Sequence, residues 1–167
     1  EPFVDVFDLD THEKVASIPV TTGIHNVYVS PDGNWVVVGL NARSENSIEV
    51  IDPSIDEVVR TLSLVDDQGV HHTVRPMAFL AAEDGSTDKL FAHGAGMNGI
   101  WVLDWETGQK ETMLFPPALP AWMRNADGNQ GAPMHGLEVL PDRSAVWASS
   151  RIDSRIYGWS LPDLEFI

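Results

Sequence analysis

The sequence predicts an all-β fold assembled from repeated units of four short antiparallel strands. Three observations carry that expectation. β-rich segments of two kinds alternate along the chain and recur in register. Each segment is broken by a tight turn rich in Pro, Asp and Gly. No segment shows apolar residues at helical spacing over three turns, so helix is expected to be minor.

Residues 4–20, VDVFDLDTHEKVASIPV, read as a strand, a polar turn opened by Asp8, and a second strand. Residues 25–40, HNVYVSPDGNWVVVGL, follow as strand, tight turn and strand, with Pro31 and Gly33 supplying the turn dihedrals. The first pattern returns at 48–64, IEVIDPSIDEVVRTLSL, around Asp52. The second returns more loosely at 75–94, RPMAFLAAEDGSTDKLFAHG. Residues 100–114, IWVLDWETGQKETML, give the first pattern again around Asp104, and 135–150, HGLEVLPDRSAVWASS, the second. Residues 156–167, IYGWSLPDLEFI, begin a fourth copy, with Ser160 where the others have Asp. These markers are 44, 52 and 56 residues apart, which describes one unit with connections of variable length.

A lone four-stranded sheet cannot bury both its faces until neighbours stack on it. Four antiparallel strands recurring at this spacing therefore predict a β-propeller of about three and a half blades, with repeat units at approximately 4–40, 46–94, 98–150 and 154–167 in a single domain, 1–167. A β-sandwich also spaces short strands regularly, but it does not require the same turn signatures to recur in register. A ring of about seven blades needs roughly 300 residues. The chain is therefore expected to belong to a longer protein that supplies the rest of the ring; two chains closing one ring is the alternative.

Composition narrows the partners. The chain has 167 residues, of which 43 % are hydrophobic and 21 % charged, proportions of a globular protein. The net charge of −15 repels phosphate backbones and anionic headgroups, so nucleic acid and membrane surfaces are excluded as expected partners. No apolar run approaches the ~20 residues of a membrane helix, and the first residues lack the basic start and apolar centre of a signal peptide. Either the protein stays in the cytoplasm or the chain begins after processing. The absence of Cys removes disulfides, iron–sulfur clusters, thiolate zinc sites and cysteine nucleophiles together. Any metal must then use His, carboxylate or Met.

The pairing of GIHNVYVSPDGNWVVV (23–38) with NSIEVIDPSIDEVVRTLSL (46–64) resembles the YVTN-type, YncE-like β-propeller repeat. The resemblance covers nearly the whole chain and is weakest over 65–94, where VDDQGVHHT is inserted and the PDG turn becomes AAEDGSTDK. It implies a propeller fold and an exported bacterial protein, periplasmic or extracellular. It implies little about activity, because such repeats serve as scaffolds for unrelated functions.

In a blade the chain runs from the innermost strand outward, so two sets of connections share one face. The long segments 41–46, 65–74, 94–98, 115–134 and 150–154 fall there, and binding propellers elaborate one face. His25 and His135 begin inner strands on that face, and Arg75 holds the equivalent position between them. His71 and His72 lie in the inserted loop and His93 ends a second strand, so five His and an Arg are expected at one mouth; only His12 sits in an opposite turn.

Three readings of that set stand side by side. In the first, the face engages a small molecule, an anion or a protein partner through His25, Arg75 and His135, with Trp122 and Arg124 from the long loop 115–133 beside them. In the second, the protein is a periplasmic metalloenzyme in which His25, His71, His72, His93 and His135 hold copper or another His-ligated metal. The His-lined propeller of nitrous oxide reductase and the haem-carrying propeller of nitrite reductase are relatives that the resemblance brings in. Arg75 would then place a cation against the metal. In the third, GIHN and PMHG are variants of the Pro-His-Gly segment of the repeat, and the imidazole only bonds backbone at the start of a blade. No cofactor is demanded by any motif.

Other recurrent residues read as structural. Asp8, Asp52 and Asp104 precede tight turns that an Asp side chain caps. Trp35, Trp101 and Trp147 lie in or beside strands and are expected to pack between blades. Arg151 and Arg155 bracket SSRIDSR on the mouth face and read as surface residues that could also attract an anion. GAGMNG at 94–99 is not a phosphate loop, because no helix follows it. No Ser-His-Asp pattern and no carboxylate pair of fixed spacing is present.

Overall fold

A computed structural model describes residues 1–41, 46–117 and 134–167. These described residues form thirteen strands in four antiparallel sheets. A hairpin of β1 (Phe3–Phe7) and β2 (Lys14–Pro19) is followed by a four-stranded sheet of β3 (Ile24–Val29), β4 (Val36–Leu40), β5 (Ile48–Asp52) and β6 (Glu57–Leu62). A second four-stranded sheet holds β7 (Val74–Ala81), β8 (Thr87–Gly94), β9 (Ile100–Asp104) and β10 (Lys110–Leu114). The last sheet holds β11 (Met134–Val139), β12 (Ala145–Ser150) and β13 (Arg155–Ser160), and a bridge from Trp159 to Phe166 begins to extend it. Strand order within every sheet is the order in the chain, as in a propeller blade.

The central strands of the two four-stranded sheets read as near-continuous apolar runs because those sheets are covered on both faces. Alternate residues feed different cores: Val37, Ile48, Val50, Leu90, Trp101 and Leu103 pack between the first and second four-stranded sheets. Phe91, Ile100, Val102 and Leu114 face the other way, onto Met134, Leu137, Val146 and Trp159 of the last sheet. Val38, Leu40 and Ile51 pack against Ile18 and Val20 of the hairpin. The hairpin, with two strands against four, leaves Val27 and Val29 on β3 exposed.

The turns close as the sequence implies. Asp8 accepts hydrogen bonds from the Asp10 and Thr11 amides and the Thr11 hydroxyl, Asp52 from the Ser54 amide and hydroxyl, and Asp104 from the Thr107 amide and hydroxyl. These bonds hold all three carboxyls below the ordinary Asp range, led by the Thr11 amide, the Ser54 hydroxyl and the Thr107 hydroxyl respectively. Trp101 is fully buried between sheets and its indole donates to the Val65 carbonyl at 3.1 Å. Trp35 is partly buried against the same core, and Trp147 packs over Gly158.

Close approach of neighbouring sheets demands a glycine at position 39. A Cβ there would collide with Asn26 Oδ1 and Val74 Cγ1, whereas a Cβ at Gly23 meets nothing within 4 Å. Gly39→Ala is expected to destabilise the protein by about 1–3 kcal/mol through overpacking, with Gly23→Ala close to neutral. Urea unfolding midpoints of the two variants check this.

Candidate functional site

The inner strands β3, β7 and β11 each begin with a register irregularity at the same end. Ile24 pairs with Leu40 and Asn26 with Gly39, so His25 is left without a cross-strand partner. Val74 pairs with Gly94 and Met77 with Ala92, which leaves Arg75 and Pro76 unpaired. Met134 pairs with Ser150 and Gly136 with Ser149, which leaves His135 unpaired. A β-bulge re-aims the side chain of its extra residue. Three successive blades thus present His25, Arg75 and His135 from equivalent bulges at one end of the sheets.

The three positions share one electrostatic environment. Burial pushes the His25 imidazole below its ordinary value, and the positive charge of Arg75, followed by that of His135, pushes the same way. Both His side chains are exposed and Arg75 is half-buried. The arginine is held by the neighbouring sheet: its Nη1 donates to Asn41 Oδ1 at 2.9 Å, and its backbone carbonyl accepts from Asn26 Nδ2 at 2.7 Å. The group can therefore present a fixed guanidinium flanked by two imidazoles to an acceptor approaching from solvent.

The other three histidines expected at the mouth differ from His25 and His135 in accessibility. His72 is buried, with Nδ1 donating to the Ala95 carbonyl at 3.0 Å and Nε2 lying 3.0 Å from Asp66 Oδ2. Asp66 in turn accepts from the Gln68 and Val70 amides, so the pair organises the inserted loop, and the His72 ring lies tilted against Trp101 with 5.2 Å between centroids. His93 is 1 % exposed, and its Nε2 donates to the Met97 carbonyl at 2.5 Å. Burial pushes the His93 pKa down to about 3. His71 is half-buried and is itself the bridge partner of Val65. Trp122 and Arg124 lie outside the described residues.

A metal held by all five histidines together does not fit this geometry. The ring nitrogens of His72 are engaged by the protein, His93 is sealed from solvent, and the Arg75 charge acts on His25, one of the three that remain with His71 and His135. Among the described residues no three His, Asp or Glu side chains gather into a set that would hold a metal ion.

Among the polar groups behind the mouth, sequence reasoning named His71 and His93 and missed Asn26, Thr73 and Asn98. Asn26 Oδ1, His71 Nδ1, Thr73 Oγ1, His93 Nδ1 and both side-chain polar atoms of Asn98 are buried without a hydrogen-bond partner, and all lie at the end of the sheets that carries Arg75. Such orphaned groups mark places where water or a ligand completes the structure. The only sequence signal was the position of Asn26, Thr73 and Asn98 beside strand ends.

No family model matches the chain, and the comparison with curated proteins found no match. Among solved structures, hydrazine synthase of Kuenenia stuttgartiensis is similar over 95 % of this chain and 46 % of its own, at 22 % identity and a TM-score of 0.66. The dihydro-heme d1 dehydrogenase NirN, solved in complex with DHE, is similar over 99 % of this chain and 32 % of its own, at 19 % identity and a TM-score of 0.69. The chain thus spans less than half the length of either protein. At these identities the likeness shows the propeller fold.

Two measurements test the site's electrostatics. Arg75→Ala removes the positive charge beside His25 and is expected to raise the His25 pKa, read from an NMR titration of its ring protons; an unchanged midpoint would separate the two groups. His93 stays neutral in the fold down to about pH 3, while the unfolded chain takes up that proton near 6.5. Its contribution to stability is therefore complete above pH 6.5 and is lost as pH falls toward 3, at up to about 1.4 kcal/mol per pH unit. Unfolding free energies between pH 7 and 4 should fall accordingly, and more shallowly in His93→Gln.

Proposed function

We propose that the chain is a segment of a YVTN-type propeller that acts as a rigid binding platform. Its mouth face engages a small ligand bearing an anionic or strongly accepting group through Arg75, His25 and His135. The single observation that carries this reading is the triple bulge, which puts a side chain with nitrogen donors at the same place on three successive blades. A histidine serving only to bond backbone at the start of a blade would be matched by another histidine on β7, and the residue there is Arg75.

The electrostatics support the same reading. An anion placed among these groups favours protonated imidazole, so its binding strengthens as pH falls through the depressed His25 range. The protein's net charge of −15 works against anions at long range, so recognition rests on short hydrogen bonds from Arg75 and the two rings. The platform belongs to a longer, exported protein whose remaining blades complete the ring and contribute further contacts. Catalysis is not part of this reading: among the described residues no group at the mouth is paired as nucleophile and base.

A thermal-shift screen of phosphate, sulfate, small carboxylates and sugars against the full-length protein tests the proposal. An anion that raises the melting temperature in wild type, more strongly at pH 6 than at pH 8, should lose most of that shift in Arg75→Ala. A shift independent of Arg75 removes that residue from the site. A shift abolished by chelator and restored by copper would move the assignment to a metal centre.

A further inference from the structure

We propose a second binding site, on the opposite end of the sheets, that takes a small monocarboxylate with an apolar body into a pocket between the two four-stranded blades. The pocket has a volume of about 310 Å³ and is lined by Trp35, Val50, Val59, Arg60 and Trp105. Its size and composition, apolar walls around one charged group, are those of small-molecule sites.

The pocket exists because the outer strand changes face. In β6, Arg60 pairs with Val50 and Val58 with Ile51, so Val59 is an extra residue and the alternation shifts. Val58 then packs toward the hairpin, while Arg60 is turned toward the next blade. There its guanidinium lies over the Trp105 ring, 4.4 Å from the centroid, and Nη1 donates to the carbonyls of Trp105 at 2.7 Å and Glu106 at 3.2 Å. Nη2 is buried and has no hydrogen-bond partner. Among the described residues no carboxylate oxygen lies within 4.0 Å of Arg60, so the charge is without an ion pair. A half-buried cation with an unsatisfied N–H costs free energy that an acceptor entering the pocket would recover.

The repeat itself explains none of these side chains. The hairpins around Asp8 and Asp104 carry the same bulge, and at the position of Arg60 they have Ala16 and Thr112. Where Trp105 follows its marker Asp, the other copies have Leu9, Pro53 and Leu161. Where Trp35 closes its turn, the equivalent residues are Ser86 and Ala145. A propeller blade is therefore built without the two indoles and the guanidinium, and only this one junction combines them.

The chemistry selects the ligand class. One guanidinium without an ion pair within 4.0 Å matches one carboxylate, and the indole and Val surfaces match an aromatic or branched aliphatic body of modest size. Asp104, which acts electrostatically on Arg60, and the strongly acidic protein as a whole disfavour dianions.

Calorimetric titration of the full-length protein with benzoate and with isovalerate, and with the neutral isosteres benzamide and isovaleramide, tests the site. At least one carboxylate is expected to bind saturably, and at least tenfold more tightly than its amide. Arg60→Gln should abolish the preference for the acid, and Trp35→Leu, on the other wall, should weaken binding of both acid and amide. Arg75→Ala, at the far end of the sheets, should leave these affinities unchanged, which keeps the outcome separate from the fate of the mouth site. Saturable binding of neither acid, equal binding of acid and amide, or an acid preference that survives Arg60→Gln in a protein of unchanged melting temperature would overturn the proposal.

Discussion

Burial of both faces of every interior sheet is the constraint on which the rest of this molecule depends. A strand that faces water on one side can alternate apolar and polar residues. Here β4, β5, β8 and β9 cannot, because Val37 and Val38, Val50 and Ile51, Leu90 and Phe91, and Leu103 and Val102 serve two different cores. Stacking of this kind leaves little freedom in the sheets themselves. Gly39 is required where one blade closes on the next, and His72, Trp101 and Gly94 are packed into contact behind the mouth. Variation is pushed outward to connections and to the ends of strands.

The irregularities of the ladder then do the positioning. A period of two assigns each residue to a face, and a bulge is the way to escape that assignment without breaking the sheet. At the start of the inner strands the bulge frees His25, Arg75 and His135 from cross-strand pairing. In the outer hairpin it turns Arg60 away from the face of Val58. The same device serves both ends of the molecule, and at each end it places a cationic side chain where the packed interior meets solvent.

The charge distribution gives those positions their character. Much of the acidity is absorbed by turns, where Asp8, Asp32, Asp52, Asp84, Asp104 and Asp142 accept hydrogen bonds from backbone or hydroxyl groups nearby. Three of the four ion pairs among the described residues use Lys, the fourth His72, and none uses Arg. Arg60 and Arg75 are half-buried, both pushed below the ordinary arginine range by burial, and both bonded to neutral oxygen atoms. Guanidinium groups kept apart from carboxylates in a protein with so many of them retain the capacity to meet an anion from outside.

The repeat of a strand pair around Asp with a strand pair around a PDG-like turn was enough to determine the all-β blade architecture. Period and turn chemistry are local properties, and nothing remote in the chain overrides them. Equivalence of positions 25, 75 and 135 was legible for the same reason. The accessibility of each histidine was decided only by the tertiary structure: His72 and His93 share the mouth's end of the chain topology with His25, yet Asp66, Ala95 and Met97 close around them. The pocket at Arg60 and Trp105 was illegible too, because it is formed by residues about 45 positions apart on different blades, and a one-residue bulge decides which side of the strand Arg60 occupies. Burial and register are set by what packs opposite a residue, and the sequence around that residue does not contain it.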